Sequence, residues 1–192
     1  MRAKHDFDMV MGAQAVFRLL LDSLANPGRQ AGIARYEGQF KRCGRWLAPA
    51  ITLLDNETGF YWNGDPDVAD EICFLTGSSL ASLDRADFVF LPEPADPGEI
   101  LRSVKPGSDE DPHDSAMIIA GTGGRPGANA TLRGPGIPPE GRDVPFSTAE
   151  RAWLEARDEQ GYEYPCGVEL VFFRDGGEIL SVTRKVAIRW AM

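Results

Sequence analysis

The stretch Gly59-Phe60-Tyr61-Trp62-Asn63, followed by Asp65-Pro66, decides the fold class of this chain. The aromatic run suits a pleated, half-buried strand. Asp65 carries a side-chain oxygen that can accept a backbone N–H at a helix start, and Pro66 brings a pre-set φ to the first helical position. A helix therefore opens there, and Val68, Ile72 and Leu75 give it a buried face. The pattern then repeats. Ala86-Asp87-Phe88-Val89-Phe90-Leu91 reads as a strand, and Asp96-Pro97 opens a helix containing Ile100, Leu101 and Val104. Strand followed by helix, twice in succession, predicts an α/β fold.

Upstream, Val10, Ala13, Phe17, Leu20, Leu21 and Leu24 recur at helical spacing and predict one apolar stripe. Asn26-Pro27-Gly28 ends that helix, because the residue before Pro avoids the α region and Gly supplies the exit. Ile33-Ala34 is a candidate short strand. Leu47, Ile51 and Leu54 predict a second short helix, and Asp55-Asn56-Glu57-Thr58 turns the chain into the aromatic strand.

Downstream, residues 105–114 form a polar loop. Residues 115–120 and 130–133 read as strands. Between them, Gly121-Thr122-Gly123-Gly124-Arg125-Pro126-Gly127 reads as a flexible hairpin loop. It lacks the Lys of a phosphate-binding GxxxxGK[ST] loop and leads into a strand. Gly134-Pro135-Gly136 forces a sharp turn, open to close approach by a phosphate or serving only to join strands. Ser147-Thr148-Ala149-Glu150 is a capping box, and the helix after it carries Trp153 and Leu154 and stops near Gly161. Residues 168–173, Arg174-Asp175-Gly176-Gly177 and residues 179–182 make a β-hairpin. A last apolar run covers Val186-Ala187-Ile188. Helices alternate with strands early and hairpins dominate later, which predicts a mixed β-sheet with helices on both faces.

The 192 residues fit one domain spanning 1–192, and an apolar fraction of 43% fills its core. A net charge of −9 argues against nucleic acid and anionic membranes as partners. Sixteen Arg against four Lys still allow a local basic pocket. Cys43, Cys73 and Cys166 are isolated, which argues against a disulfide framework and a zinc site and predicts reduced, buried thiols in a cytoplasmic protein. The start, Met1-Arg2-Ala3-Lys4-His5-Asp6, does not read as a signal peptide, and no apolar run is long enough for a membrane span. With only His5 and His113, a His-rich metal site is impossible and a Ser-His-Asp triad is poorly supplied.

Candidate ligand-binding residues are few. Asp55, Asn56 and Glu57 cluster in one turn and can face a hydroxylated or cationic ligand; the same residues also suit an Asx-type turn. Arg133 and Arg184 can contact phosphate oxygens, or make ordinary ion pairs. A pyridoxal-phosphate (PLP) enzyme needs a Schiff-base lysine, and only Lys4, Lys41, Lys105 and Lys185 are available, Lys185 being the best placed. No catalytic residue and no metal ligand stands out. Phe60, Tyr61, Trp62 and Trp153 belong to a core or to an interface.

Several stretches together resemble one family. They are Phe17-Arg18-Leu19-Leu20 with Pro27-Gly28; Leu53-Leu54-Asp55-Asn56-Glu57-Thr58; Phe74 with Thr76-Gly77; and Ala86-Asp87-Phe88. Gly134-Pro135-Gly136-Ile137, Tyr164-Pro165-Cys166-Gly167-Val168-Glu169-Leu170 and Arg184 follow in family order. The chain is similar over nearly its whole length to PhnH, a subunit of the bacterial carbon-phosphorus lyase system. It departs from that pattern at Thr183-Arg184-Lys185, where the family has Pro-Arg-Thr, at Tyr164 through Glu169, where the family has Phe-Pro-Leu-Gly-Val-Asp, and in a glycine-richer loop at 121–127.

The resemblance implies a fold like the large domain of PLP-dependent transferases, without the cofactor. It implies a homodimer in isolation and a core complex with PhnG, PhnI and PhnJ. That complex displaces adenine from ATP with a phosphonate to give a ribose 1-phosphonate 5-triphosphate. The radical S-adenosylmethionine subunit PhnJ later cleaves the carbon-phosphorus bond. The resemblance assigns no catalytic residue to this chain, which is expected to act as an accessory subunit. The alternatives are a small-ligand-binding homodimer and an independent transferase.

Overall fold

A computed structural model describes residues 5–191. Helix α1 (Met11–Ala25) leads to strand β1 (Ala31–Gly32), a 3-10 turn (Ala34–Gln39) and helix α2 (Gly44–Leu53). Strand β2 (Gly59–Trp62), helix α3 (Pro66–Thr76), β3 (Ser79–Leu80), β4 (Phe88–Leu91), α4 (Pro97–Ser103) and β5 (Met117–Thr122) follow. The chain then adds β6 (Pro126–Arg133), β7 (Arg142–Ser147), α5 (Thr148–Gln160), β8 (Glu169–Arg174), β9 (Glu178–Val182) and β10 (Ala187–Trp190).

Seven strands form one mixed sheet in the order β1-β9-β8-β5-β4-β2-β3. The run from β8 to β3 is parallel; at one edge β9 pairs antiparallel with β8, and β1 pairs antiparallel with β9. Parallel strands are buried on both faces, so successive side chains enter different cores. On β5, Ile118 and Ala120 enter one core and Ile119 the other. The first core is closed by α4, α5 and the inner face of a second sheet, through Ile100, Leu101, Trp153, Leu154, Leu132 and Phe146. The other is closed by α1, α2 and α3, through Val16, Leu20, Trp46, Leu47, Val68 and Ile72. The fold is thus α/β with a mixed sheet and helices on both faces, as the strand–helix alternation predicts.

The start signals act as expected. Asp65 accepts from the Asp67 amide, Asp96 from the Glu99 amide, and Ser147 and Glu150 form the reciprocal capping box. Residues 168–182 form the expected antiparallel hairpin. Gly134-Pro135-Gly136 is a turn closing β6, seated on the C-terminal end of α1 at Ala25 and Pro27.

Four expectations are corrected. The buried face of α1 is Val16, Leu20 and Ser23, while Val10, Phe17 and Leu21 face outward. The expected stripe is split: its Leu20 is buried and its Ala13 and Leu24 pack against the core, while its Val10, Phe17 and Leu21 stand outside. The loop at 121–127 is not a hairpin. Gly121 and Thr122 end β5, Pro126 and Gly127 begin β6, and those strands lie in different sheets. The strand expected at Ile33-Ala34 lies two residues earlier, at Ala31–Gly32, where it pairs with β9. The cysteines are free but not buried: Cys43 is exposed, and Cys73 and Cys166 are half-buried. The second, antiparallel sheet, β10-β6-β7, was not expected as a separate layer.

Candidate functional site

In an open α/β sheet, ligands favour the crevice at the carboxyl ends of strands where chain direction across the sheet reverses. Here the chain runs from β2 outward to β3, then crosses to β4 on the other side of β2. The crevice between β2 and β4 is that point, and side chains of the protein close it. The Asn63 amide donates to the Glu93 carbonyl at 3.0 Å, and the Glu93 N–H donates back to Asn63 Oδ1 at 3.2 Å. Trp62 Nε1 donates to the Asp65 carbonyl at 3.0 Å. The helix N-termini that flank the crevice offer N–H groups and positive dipole ends of the kind that hold phosphates. In this chain the carboxylates of Asp65 and Asp96 take those positions. Asp65 is itself paired with Arg42 at 3.3 Å, so the position is filled by the protein's own charges.

Hollows of about 420 and 350 Å³ lie along the small sheet, the second lined by Arg133 and Arg189, and another depression lies at the opposite end of the parallel strands, below the start of β8. A cleft of about 230 Å³ is lined by Arg157, Tyr162, Cys166, Gly167, Arg184 and Val186, among others. Arg184 also borders a neighbouring hollow of about 270 Å³ with His113, Tyr164, Pro165 and Lys185. Small-molecule pockets commonly measure ~300–1,000 Å³, so the cleft suits a small ligand at most.

The polar groups around it are engaged internally. Arg184 Nε donates to Glu169 Oε1 at 2.6 Å, and its two Nη atoms donate to the Pro112 carbonyl and to Ser115 Oγ. Glu169 Oε2 accepts from the Arg184 backbone N–H at 3.0 Å. Arg157 donates to Asp158 and to the carbonyls of Thr183 and Val186. The Tyr162 hydroxyl donates to the Leu101 carbonyl at 2.8 Å, and burial pushes its pKa up. This arrangement fixes the residue 161–168 loop against the sheet, and the Cys166 thiol, which also lines the cleft, donates to Asp109 Oδ1 at 3.8 Å.

The residues singled out from sequence do not converge. Asp55 Oδ1 accepts the amides of Glu57 and Thr58 at 3.0 and 3.1 Å, and Thr58 Oγ1 accepts the Asp55 N–H at 2.9 Å. Asp55, Asn56 and Glu57 thus form an exposed Asx-type turn before β2. Arg133 donates to the carbonyls of Pro139 and Glu140, clamping the loop after the Gly-Pro-Gly turn. Arg184 alone lines the cleft. Of the lysines, Lys185 Nζ lies 4.4 Å from the centre of the Tyr164 ring and donates to its hydroxyl, Lys41 is exposed, and Lys4 lies outside the described residues. Among the described residues, no group of His, Cys, Asp and Glu side chains could hold a metal ion, and no helix is long and apolar enough to cross a membrane.

Lys105 belongs to a charge cluster that sequence spacing does not reveal. Its ammonium bridges Asp87 and Asp114, and Asp87 also accepts the Gly59 amide at 2.7 Å. Burial pushes the Asp87 carboxyl up, but the Lys105 hydrogen bond, the Gly59 amide and the Lys105 charge outweigh it, so its pKa falls below the ordinary 3.8. Burial pushes Lys105 down, and its bonds to Asp114 and Asp87 reverse this, so its pKa rises above 10.5. A depressed carboxyl stabilises the fold above its ordinary pKa and loses this as pH falls through the folded value. A raised ammonium stabilises below its ordinary pKa and loses this as pH rises through the folded value. Lys105→Met is therefore expected to cost about 1 kcal/mol of unfolding free energy for these partly exposed groups. The difference from wild type should be flat from pH 5 to pH 9 and shrink below about pH 4 as Asp87 protonates. Urea melts across that range read it out; a cost that grows as pH falls contradicts the pairing.

The sequence-family model described as "Bacterial phosphonate metabolism protein (PhnH)" matches residues 5–189. No curated protein matches the chain.

Proposed function

Because the chain belongs to the PhnH family of bacterial phosphonate metabolism proteins, we propose that it acts as an accessory subunit of the carbon-phosphorus lyase core complex, with PhnG, PhnI and PhnJ as partners. In this reading it supports formation of ribose 1-phosphonate 5-triphosphate from ATP and a phosphonate and contributes shape and surface rather than proton transfer. It works in the cytoplasm, and in isolation it is a homodimer. Its sheet resembles the large domain of PLP-dependent transferases, without the cofactor.

The observation that carries the reading is the internal engagement of the polar side chains. Arg184, Arg157, Arg133, Lys105 and Asp55 each bond to the protein itself, and the carboxylates of Asp65 and Asp96 take the helix-terminal anion positions. Exposed large apolar side chains add to this, since a chain that works in a complex keeps contact surface on its exterior.

Co-expression of all four chains, with an affinity tag on PhnI, tests the proposal. This chain is expected to elute with PhnG, PhnI and PhnJ in a fixed ratio through a salt wash and gel filtration. Elution of the other three as a stable complex from which this chain is missing rejects it.

A further inference from the structure

We propose that the outer face of α1 is a self-association surface that pairs with α1 of a second copy of this chain. The inference deepens the reading above, in which the isolated chain is a homodimer, by naming the surface that joins the two copies.

The face is unusual for a surface helix. Val16, Leu20 and Ser23 already bury the inner side of α1, yet Met9, Val10, Met11, Phe17 and Leu21 stand 42–73% exposed along the outer side and its start. With about 150–200 Å² for each large side chain, these fractions leave roughly 500 Å² of apolar surface on one helix. That is near the largest patch an ordinary monomer shows. A rim of Gln14, Arg18 and Asp22, all exposed, brings a contact centred on it toward the ~800 Å² per partner of a standard interface.

The spacing of the stripe indicates what covers it. Val10, Gln14, Phe17 and Leu21 are separated by four, three and four residues. This sequence of steps is the same read in either direction. A two-fold axis between residues 15 and 16 therefore sets Val10 opposite Leu21 of a second copy, and Gln14 opposite its Phe17. A patch that matches itself under a two-fold rotation is what an isologous dimer requires. The helices run antiparallel in that pairing, so their dipoles oppose, and the charged Arg18 and Asp22 stay at the rim. Continuous i, i+4, i+7, i+11 ridges are the rows by which helices pack on one another.

Analytical ultracentrifugation of the chain alone tests this. The wild type is expected to be a dimer at micromolar concentration. Phe17→Glu and Leu21→Glu should each weaken the dimer by at least about 30-fold, the size of an interface hot spot. Both positions are solvent-exposed in the protomer, so the helical circular dichroism should hold. As an independent readout, Gln14→Cys in a Cys43→Ser background should give a reducible covalent dimer, and Asp84→Cys in that background should not. A monomeric wild type overturns the proposal. So does a dimer that both glutamate variants leave intact, including one in which they abolish only co-elution with PhnG, PhnI and PhnJ. Because self-association is measured without those partners, its failure leaves the four-chain co-elution experiment standing.

Discussion

Arg174→Met is expected to destabilise the protein by about 3–5 kcal/mol, because it leaves a buried carboxylate without its countercharge. Glu150 is 1% exposed. Its Oε1 accepts from Arg174 Nε at 2.6 Å and Thr122 Oγ1 at 3.1 Å, and its Oε2 accepts from Arg174 Nη2 and the Ser147 amide, both at 2.8 Å. Arg174 also donates to the Pro145 carbonyl at 2.8 Å. The group therefore joins the ends of β5 and β8 in the large sheet to β7 and the start of α5. It is the polar weld between the two sheets. A protein of this length loses roughly 2–4 °C of Tm per kcal/mol, so the variant should melt about 10 °C lower. Glu150→Met alone strands the guanidinium and should cost a similar amount. The double variant Glu150→Met/Arg174→Met removes both charges and should recover part of the loss, a coupling read from a double-mutant cycle. Additive costs, or a Tm within 2 °C of wild type for Arg174→Met, contradict the assignment.

Gly136→Ala is the second large effect, expected at about 3 kcal/mol or more. Gly136 has φ +76°, and a Cβ there would overlap the Ala25 carbonyl oxygen and lie 3.0 Å from Pro27 Cδ. Those obstacles are the backbone and a proline ring at the end of α1, so neither a rotamer change nor a small shift relieves them. Gly161 provides the control. It caps α5 at φ +61° with nothing near its virtual Cβ, so Gly161→Ala should cost only the left-handed strain, about 1–2 kcal/mol. Denaturant melts of the two variants separate backbone preference from close approach; equal losses contradict the packing account of the Gly-Pro-Gly turn.

The readable part of this chain was local. Asp65-Pro66, Asp96-Pro97 and Ser147 through Glu150 state their role within four residues, because a cap is satisfied by its own first turn. The Asp55 turn is equally local, and its Asx reading is what the hydrogen bonds show. Hidden from the sequence were the long-range pairings. Glu150 was legible as half of a capping box, but its Arg174 partner sits 24 residues on. Arg184 was legible as a possible anion contact, yet its carboxylate is Glu169 and its other acceptors are Pro112 and Ser115. Lys105 meets Asp87 only because β4 and the loop after α4 converge at one end of the sheet. The half of the α1 stripe that stays outside the core, Val10, Phe17 and Leu21, has the same root. Periodicity reports that a helix has an apolar face, and cannot say which of two such faces the protein itself covers.

Adenine release from ATP and methylphosphonate, by the purified complex assembled with and without this chain, tests the central claim most directly. The account predicts that PhnG, PhnI and PhnJ alone release little adenine, that this chain alone releases none, and that adding it back restores the rate. Undiminished release by the three-chain complex would contradict the account, as would release by this chain on its own.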